Sequence, residues 1–255
     1  MINCRDIFLT TKQLIKQPFY LDEQTAHHLV TVLRAEVGTQ AEFVQPDQLV
    51  YLGHVSSINQ DGAQAVLDGP LAKSSSSELP VSVSIACGLP KGEKAQLIVQ
   101  KATELGVHEV IFFTSQRSIA KWPAAKRARK LERLQQIAQN AAEQSHRNIV
   151  PVISYSKSLS SLLDETDKIT RRVVAWEEAA KQNEKSQLAA TFSELQSGDS
   201  LLAIFGPEGG LTSDEVAQMQ QKQVIVAGLG PRILRTETAP LYLLAAASYY
   251  FELED

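Results

Sequence analysis

Residues 201–215, LLAIFGPEGGLTSDE, indicate the fold more clearly than any other part of the 255-residue chain. The first five residues are all apolar, which is typical of a strand buried on both faces of a parallel sheet. A glycine-rich turn, GPEGG at 206–210, follows. Thr212 and Glu215 then have the spacing of a capping box, in which each side chain binds a backbone N–H at the start of a helix. We therefore predict a buried strand, a glycine turn and a capped helix.

The same order of elements recurs at residues 224–239, VIVAGLGPRILRTETA. An apolar strand is again followed by glycines, Gly228 and Gly230, and then by a helix. In α/β sheets ligands lie beyond the carboxyl ends of the strands, where glycine lets the backbone approach a ligand with no Cβ in the way. Either turn alone could be an ordinary tight turn that needs a positive φ. Two such turns at successive strand ends favour a ligand pocket.

Two common nucleotide motifs do not fit these turns. The spacing of Gly228 and Gly230 is that of a dinucleotide-binding fingerprint, but Ile233 occupies the third glycine position and the turn follows the last strand, not the first. The sequence also lacks the Gly-x4-Gly-Lys-Ser/Thr pattern of a P-loop. A nicotinamide-dependent oxidoreductase is an alternative that matches only part of the fingerprint.

Strands and helices alternate along the chain from residue 81 onward, which predicts an α/β fold with a mainly parallel sheet covered on both faces. A helix whose shared face includes Leu97, Ile98, Lys101, Ala102 and Leu105 is predicted to end at Gly106. The other predicted helices are 123–145 and 237–252. The predicted strands are 81–87, 110–113, 150–153, 173–176, 201–205 and 224–227.

The first part of the chain has a different pattern, with short β-rich runs separated by turn residues. The runs at 7–10, 41–44, 49–58 and 63–67 predict a small antiparallel barrel or sandwich. One helix is predicted to begin after Asp22 and to end at Arg34. The polar run KSSSSE at 73–78 is typical of a linker, so we predict two domains, 1–72 and 73–255.

Composition excludes several classes of protein. The chain is 44% hydrophobic and 21% charged, as expected of a folded protein. Its two cysteines, Cys4 and Cys87, and its five histidines lack the spacing of metal ligands, so we predict no metal site. No apolar stretch reaches the roughly 20 residues that a membrane helix needs, and the first residues do not resemble a secretory signal. We expect a cytoplasmic protein.

The middle of the chain is basic, although the whole chain has a net charge of -4. Residues 73–150 carry 12 Lys and Arg against 6 Asp and Glu. In the predicted helix, the apolar stripe consists of Ala128, Leu131, Leu134 and Ile137. The cations that then project from the other faces are Arg129, Lys130 and Arg133. Such a run is either a solvated helix surface or, with the nearby cations Arg117, Lys121 and Arg147, a track for RNA phosphates.

Several segments, in this order along the chain, resemble the pattern of the RsmE family, the 16S ribosomal RNA uracil-N3 methyltransferases. GPEGG at 206–210 and LGPRILRTETA at 229–239 resemble its two signature segments. The further matching segments are Arg5, HHLVTVLR at 27–34, KGEKAQLIVQKATELGV from Lys91, the pair Arg117-Ser118, and AAEQSHR from Ala141. His146 and Pro240 depart from the family pattern, although a proline is tolerated in the first turn of a helix.

The resemblance implies a SPOUT-type methyltransferase domain with a C-terminal trefoil knot, preceded by a small PUA-like β-barrel. It also implies a homodimer, S-adenosylmethionine as methyl donor, and a uridine of the small-subunit decoding region as acceptor. The expected cofactor-binding residues are Gly206, Pro207, Glu208, Gly209, Gly210, Gly228, Leu229, Gly230, Ile233, Leu234, Arg235 and Thr236. The expected RNA-binding residues are Arg5, Arg34, Arg117, Lys126, Arg129, Arg133 and Arg147.

The chemistry of such a transfer suggests roles for individual residues. Uracil N3 carries a proton at neutral pH, so the site needs either a base or cationic donors that stabilise charge on the flanking carbonyl oxygens. Arg232 and Arg235 suit the second role, whereas Glu237 or Glu208 suits the first, with water as another proton acceptor. Both glutamates also stand near helix starts, where a carboxylate is favourable whatever its function.

The aromatic residues and the catalytic activity each have two interpretations. The aromatic residues could stack on RNA bases, but such residues are more commonly part of a core or a dimer interface. They are Trp122, Trp176 and 249–251. The alternative function is a non-catalytic RNA-binding or ribosome assembly factor on the same scaffold. Binding of S-adenosylmethionine separates this alternative from a methyltransferase.

Overall fold

The computed structural model describes residues 7–71, 77–181, 184 and 186–254. Cys4, the predicted RNA contact Arg5, and residues 73–76 of the predicted linker lie outside these described residues. The chain divides into two compact units. One comprises Met1–Glu78 and Ala142–Ile149, and the other comprises Leu79–Ala141 and Val150–Asp255. A short segment from the basic middle of the chain therefore belongs to the first unit.

The first unit contains a five-stranded sheet with the order β1-β3-β4-β5-β2. The strands are β1 (Ile7–Phe8), β2 (Pro18–Tyr20), β3 (Gln40–Val44), β4 (Val50–Asn59) and β5 (Gly62–Pro70). β1 pairs with β3 in parallel, and the other pairs are antiparallel. The core of this unit lies between the sheet and Leu29, which belongs to the helical segment between β2 and β3. Its fully buried residues include Phe43, Val55, Ala65 and Leu67. The sequence did not predict β2, a three-residue edge strand that begins with a proline.

The predicted helix of this unit begins as expected but ends early. Asp22 is its N-cap and accepts a hydrogen bond from the backbone N–H of Thr25. The α-helix α1 (Glu23–His27) then continues as a π-helical turn over His28–Val32. Arg34 lies beyond the end of the helix with a φ of 54°, and its side chain is exposed.

The first unit contains an ion pair between the buried Arg147 and the largely buried Glu78. Arg147 is 2% exposed, and its Nε lies 3.1 Å from Oε2 of Glu78. The other carboxylate oxygen of Glu78 accepts the backbone N–H groups of Asn148, at 2.8 Å, and Ile149, at 3.0 Å. Our prediction that Arg147 contacts RNA is wrong, because a buried guanidinium that binds a carboxylate is not available to a phosphate.

The second unit contains a six-stranded sheet with the order β11-β9-β10-β6-β7-β8. All of its strand pairs are parallel, which confirms the predicted sheet. The strands are β6 (Ser82–Gly88), β7 (Glu109–Phe113), β8 (Val152–Ser156), β9 (Arg171–Ala175), β10 (Ser200–Phe205) and β11 (Ile225–Ala227). The α-helices that follow β6 are α2 (Lys94–Glu104), α3 (Ala124–Gln144), α4 (Leu159–Glu165), α5 (Glu177–Lys181), α6 (Gln187–Ser193), α7 (Ser213–Gln221) and α8 (Thr238–Ser248). A π-helical turn, Tyr249–Leu253, follows α8.

Strand β10 is buried on both faces, as its apolar sequence predicts. Leu201, Ala203 and Phe205 pack into one core cluster, whereas Leu202 and Ile204 pack into another. Successive residues of a strand point to opposite faces, so the two clusters lie on the two sides of the sheet. This arrangement fixes the position from which the first glycine turn leaves the sheet.

Helix α3 buries most of the predicted apolar stripe, since Leu134 is in the core and Leu131 and Ile137 pack against it. Ala128 is the one residue of the stripe that departs from the prediction, because it is exposed, and Ala138 is buried in addition. Lys130 does not project into solvent as predicted, since its Nζ lies 4.4 Å from the centre of the Trp122 ring. Burial lowers the pKa of this ammonium, and the nearby charge of Arg133 acts in the same direction. The aromatic ring, which charge patterning does not take into account, explains the difference.

None of the helices in the described ranges is long and apolar enough to cross a lipid bilayer.

We expect the substitution Glu78→Gln to lower the free energy of unfolding by about 3–5 kcal/mol, because it leaves the buried Arg147 guanidinium without its counter-charge. Urea denaturation of the purified protein measures this loss. Glu194→Gln is the matched control, since Glu194 pairs with Arg171 at the surface, where the two side chains are 54% and 40% exposed. The control should lose less than about 1 kcal/mol. Equal losses in the two variants would contradict the structural role of the buried pair.

Candidate functional site

A cavity of about 270 Å³ opens at the carboxyl ends of three neighbouring strands, β10, β9 and β11. This volume is close to the lower end of the range found for small-molecule sites. The lining residues come from three loops: 175–177 after β9, 205–211 after β10, and 229–234 with Thr236 and Ala239 after β11. The structure therefore brings the two glycine turns into one cavity.

The first turn is a tight loop that packs against the end of β6. The backbone N–H of Gly210 donates to the carbonyl of Pro207 at 2.8 Å, and Gly210 has a φ of 70°, which favours glycine. A Cβ on Gly88, at the end of β6, would lie 2.5 Å from the backbone nitrogen of Pro207. The close approach of the two backbones thus depends on the absence of a side chain at Gly88.

The helix after the first turn begins with the predicted capping box. The Thr212 side chain accepts the backbone N–H of Glu215, and the Glu215 carboxylate accepts the backbone N–H of Thr212. Glu215 is 3% exposed, and its other oxygen accepts the backbone N–H of Gln116 at 2.8 Å. The cap therefore also ties α7 to the loop that follows β7.

Arg117, a predicted RNA contact, supports the first turn. Its Nη1 donates to the carbonyl of Gly209 at 3.2 Å. A Cβ on Gly209 would lie 3.0 Å from the Cβ of Arg117, so the two residues are in close contact. The Arg117 side chain is also exposed, and its contact with RNA stays a prediction.

The second turn leads directly into the last α-helix. The carbonyl of Arg235 accepts the backbone N–H groups of Thr238, at 2.8 Å, and Ala239, at 3.0 Å, which starts α8. Pro240 lies in the first turn of α8, where its missing N–H costs no helical hydrogen bond. The expectation that this proline is tolerated is confirmed.

A glutamate from the loop after α5 holds the start of the second turn. This residue is Glu184, and its carboxylate accepts the backbone N–H of Gly228 at 2.7 Å. Burial would raise the pKa of Glu184, but hydrogen bonds from the backbone N–H groups of Gly228, Gln187 and Ser186 outweigh it and lower the pKa. Glu184 therefore stays ionised and keeps accepting this bond at neutral pH.

Lys94, which we did not predict as a site residue, joins the two turns. Its Nζ lies 3.1 Å from Oε1 of Glu208, in the first turn, and 3.0 Å from Oε2 of Glu237, directly after the second. The backbone N–H of Lys91 also donates to Oε1 of Glu208, at 3.0 Å. The sequence did contain a signal, since Lys91 and Lys94 belong to the KGEK segment that carries part of the family resemblance.

The charges at this junction stabilise one another. Burial would raise the pKa of Glu208 and of Glu237, but for both carboxylates backbone N–H groups and Lys94 outweigh burial and lower the pKa. The bond to Glu237 is the largest cause of a raised pKa at Lys94. All three groups are therefore charged at neutral pH.

Residues after β9 form a third wall of the cavity that we did not predict. Trp176 is half-buried and Glu177 is exposed, and both line the cavity. The carboxylate of Glu177 lies 4.0 Å from the place that a Cβ on Gly210 would occupy. Trp176 was predicted as a stacking or core residue and Glu177 was not predicted at all, because the sequence does not reveal that β9 lies between β10 and β11.

The predicted site residues are distributed as follows. The lining of the cavity includes all of the expected cofactor-binding residues except Gly228 and Arg235. Arg232, Ile233 and Arg235 are exposed at this end of the second unit. The exposed cations of α3 are Lys126, Arg129 and Arg133, and Arg133 donates to Oε1 of Gln96 at 3.2 Å. Within the described residues no group of three or more His, Cys, Asp or Glu side chains is arranged to hold a metal ion.

Comparisons with known proteins agree on one class of enzyme. An RNA methyltransferase domain model matches residues 77–248, and an RNA methyltransferase PUA domain model matches residues 21–68. The chain is 43% identical to the ribosomal RNA small subunit methyltransferase E of Bacillus subtilis, over 97% of this chain and 96% of that protein.

Two solved structures resemble the chain over nearly its whole length. A crystal structure described as that of a hypothetical protein is 38% identical, has a TM-score of 0.88, and matches 98% of this chain and 100% of its own. The ribosomal RNA small subunit methyltransferase E of Neisseria gonorrhoeae, solved with bound S-adenosylmethionine, is 24% identical, with a TM-score of 0.80. That match covers 97% of this chain and 98% of the other.

We expect Gly88→Ala to destabilise the protein by about 1–3 kcal/mol, because the added methyl group overpacks the buried contact with the backbone of Pro207. Thermal unfolding of the ligand-free protein measures the effect. Gly69→Ala is the control, since no atom lies within 4 Å of the Cβ that it would add. If the two variants unfold at the same temperature, the close approach of β6 to the first turn is not a constraint.

Proposed function

Because the chain belongs to the ribosomal RNA small subunit methyltransferase E family, we propose that it transfers a methyl group from S-adenosylmethionine to small-subunit ribosomal RNA. The acceptor in this proposal is N3 of a uridine in 16S ribosomal RNA. The observation that supports it most strongly is the single cavity lined by both glycine turns, at the strand ends where α/β sheets bind their ligands.

The residues of the cavity fit this cofactor. Around Gly230, which has a φ of 86°, no atom lies within 4 Å of the place a Cβ would occupy, so a ligand can approach the backbone. Leu211 and Leu229 offer apolar walls for a purine ring, and the carboxylates of Glu177 and Glu208 suit hydroxyl and ammonium groups. When bound, S-adenosylmethionine would supply a methyl group that its sulfonium already activates.

The remaining task of the protein is to hold the acceptor nitrogen in line with the methyl group and to stabilise its deprotonated form. Arg232 and Arg235 are exposed on the second turn, where their guanidinium groups can donate to the carbonyl oxygens that flank N3. Glu237 is less suited to act as the base, because its lowered pKa and its contact with Lys94 favour a carboxylate that keeps no proton. We assign it a positioning role and leave proton removal to water.

RNA would be held by the PUA-like unit and by the basic face of α3. Arg34 contributes an exposed cation in the first unit, and Lys126, Arg129 and Arg133 contribute exposed cations on the helix. Exposed lysines and arginines bind phosphates without reading sequence, so this surface supplies affinity and the cavity supplies selectivity. Arg147 is removed from the set because it is buried.

We also propose a homodimer that forms through the last helical segment. Tyr242, Tyr249 and Leu253 are 42%, 60% and 72% exposed, which is unusual for large apolar side chains on one helical segment. A trefoil knot in the C-terminal part, a domain division at 72/73, and action in the cytoplasm complete the proposal.

The reaction is tested by incubating the purified protein and S-adenosylmethionine with small ribosomal subunits that lack the modification. We expect one new methyl group on a uracil base, which mass spectrometry of nuclease fragments locates. Methylation of a ribose or of a carbon atom would overturn the assignment to N3. Cofactor binding without any transfer would favour the non-catalytic assembly factor, and binding of NAD instead would favour an oxidoreductase.

We expect Arg235→Ala to lower the rate of methyl transfer by about 100-fold or more, as for the loss of one hydrogen-bond donor to a transition state. The stability of the protein should change little. Transfer rates at saturating cofactor and thermal unfolding check the two parts of this expectation. Arg171→Ala is the control, since Arg171 is the first residue of β9, and β9 meets the cavity at its other end. A normal transfer rate in Arg235→Ala would remove this residue from the mechanism.

A further inference from the structure

Lys94 makes a connection that the family resemblance does not assign to any residue. Its ammonium contacts one carboxylate from each glycine-turn segment, Glu208 at 3.1 Å and Glu237 at 3.0 Å. The three side chains are only 29%, 24% and 17% exposed, so solvent screens their interaction less than it screens a surface pair. The two turns are otherwise separated by α7 and β11 in the sequence.

The position of Lys94 is not explained by the stability of its own helix. It is the first residue of α2, where the helix dipole presents partial positive charge and disfavours a cation. The first turn of α2 contains no acidic residue that would pair with it locally. The favourable interactions of a cation at this position therefore come from Glu208 and Glu237.

Removal of the ammonium would leave two carboxylates side by side. Both contact the same nitrogen, so they lie close to each other and would repel without it. Glu208 lines the cavity, and Glu237 is the N-cap of α8, two residues beyond Arg235. Repulsion would separate the first turn from the end of the second turn, which changes both the cavity and the placement of Arg235.

We propose that Lys94 is a positioning residue that holds the two glycine turns together around the cofactor and, through Glu237, orients Arg235. This inference rests on the proposed function, since it assumes that the cavity binds S-adenosylmethionine. It adds a residue from α2 to a site that the sequence places in the last 55 residues or so of the chain.

Calorimetric binding of S-adenosylhomocysteine tests the first part without any RNA. We expect Lys94→Met to raise the Kd at least fivefold and Lys94→Arg, which keeps the charge, to stay within twofold of wild type. Lys101→Met is the matched control, because Lys101 lies on the same helix and pairs with Glu104 at 2.8 Å, away from the turns. It should leave the Kd unchanged, and thermal unfolding checks that both variants are folded at the temperature of the titration. A wild-type Kd in Lys94→Met would overturn the proposal.

A double-substitution cycle with Glu237→Gln tests the route through Glu237. If Lys94 acts through this carboxylate, Lys94→Met and Glu237→Gln together should raise the Kd no more than the worse of the two alone. Kd increases that multiply would overturn the route. At saturating cofactor and RNA, Lys94→Met should also lower kcat at least tenfold, and an unchanged kcat would overturn the link to Arg235.

Failure of the proposed function gives a different result from failure of this inference. A wild-type protein that binds the cofactor but methylates no RNA would overturn the proposed reaction, and the Kd values would still decide the role of Lys94. A wild-type protein that does not bind the cofactor would overturn both.

Discussion

Burial of β10 on both faces is the constraint on which the rest of the second unit depends. Its residues alternate between two core clusters, so the strand must lie inside the sheet, between β9 and β6. In a parallel sheet the carboxyl ends of neighbouring strands meet at one edge, and the loops after β9, β10 and β11 therefore surround a common space. The glycines then let the first turn approach the end of β6 and leave the backbone of the second turn accessible.

The local features of the site could be predicted from the sequence, whereas its assembly could not. The apolar run of β10, the glycine turn and the capping box at Thr212 each depend on neighbouring residues, and the structure has them all. Trp176 and Glu177 reach the cavity only because β9 lies next to β10 and β11, and this order of strands is a property of the whole sheet. Lys94 was missed because its two partners, Glu208 and Glu237, are more than a hundred residues away along the chain.

The basic middle of the chain shows what charge patterning cannot distinguish. Arg147 and Lys130 belong to the same basic part of the chain as Arg129, yet Arg147 is buried against the carboxylate of Glu78 and Lys130 lies over an indole ring. Only Arg129 of these three is fully on the exposed side. A count of charges predicts a surface that can attract RNA. It does not predict which cations are paired with other groups of the protein and so are not available to RNA.

Taken together, the turns, the third wall after β9 and the junction at Lys94 describe a binding site for S-adenosylmethionine whose two halves come from successive strand ends. A crystal structure of the protein with S-adenosylhomocysteine tests this claim most directly. We expect the ligand to lie between residues 206–210 and 229–236, with Trp176 and Glu177 beside it. A ligand bound elsewhere on the protein, with this cavity empty, would show that the two glycine turns do not form the cofactor site.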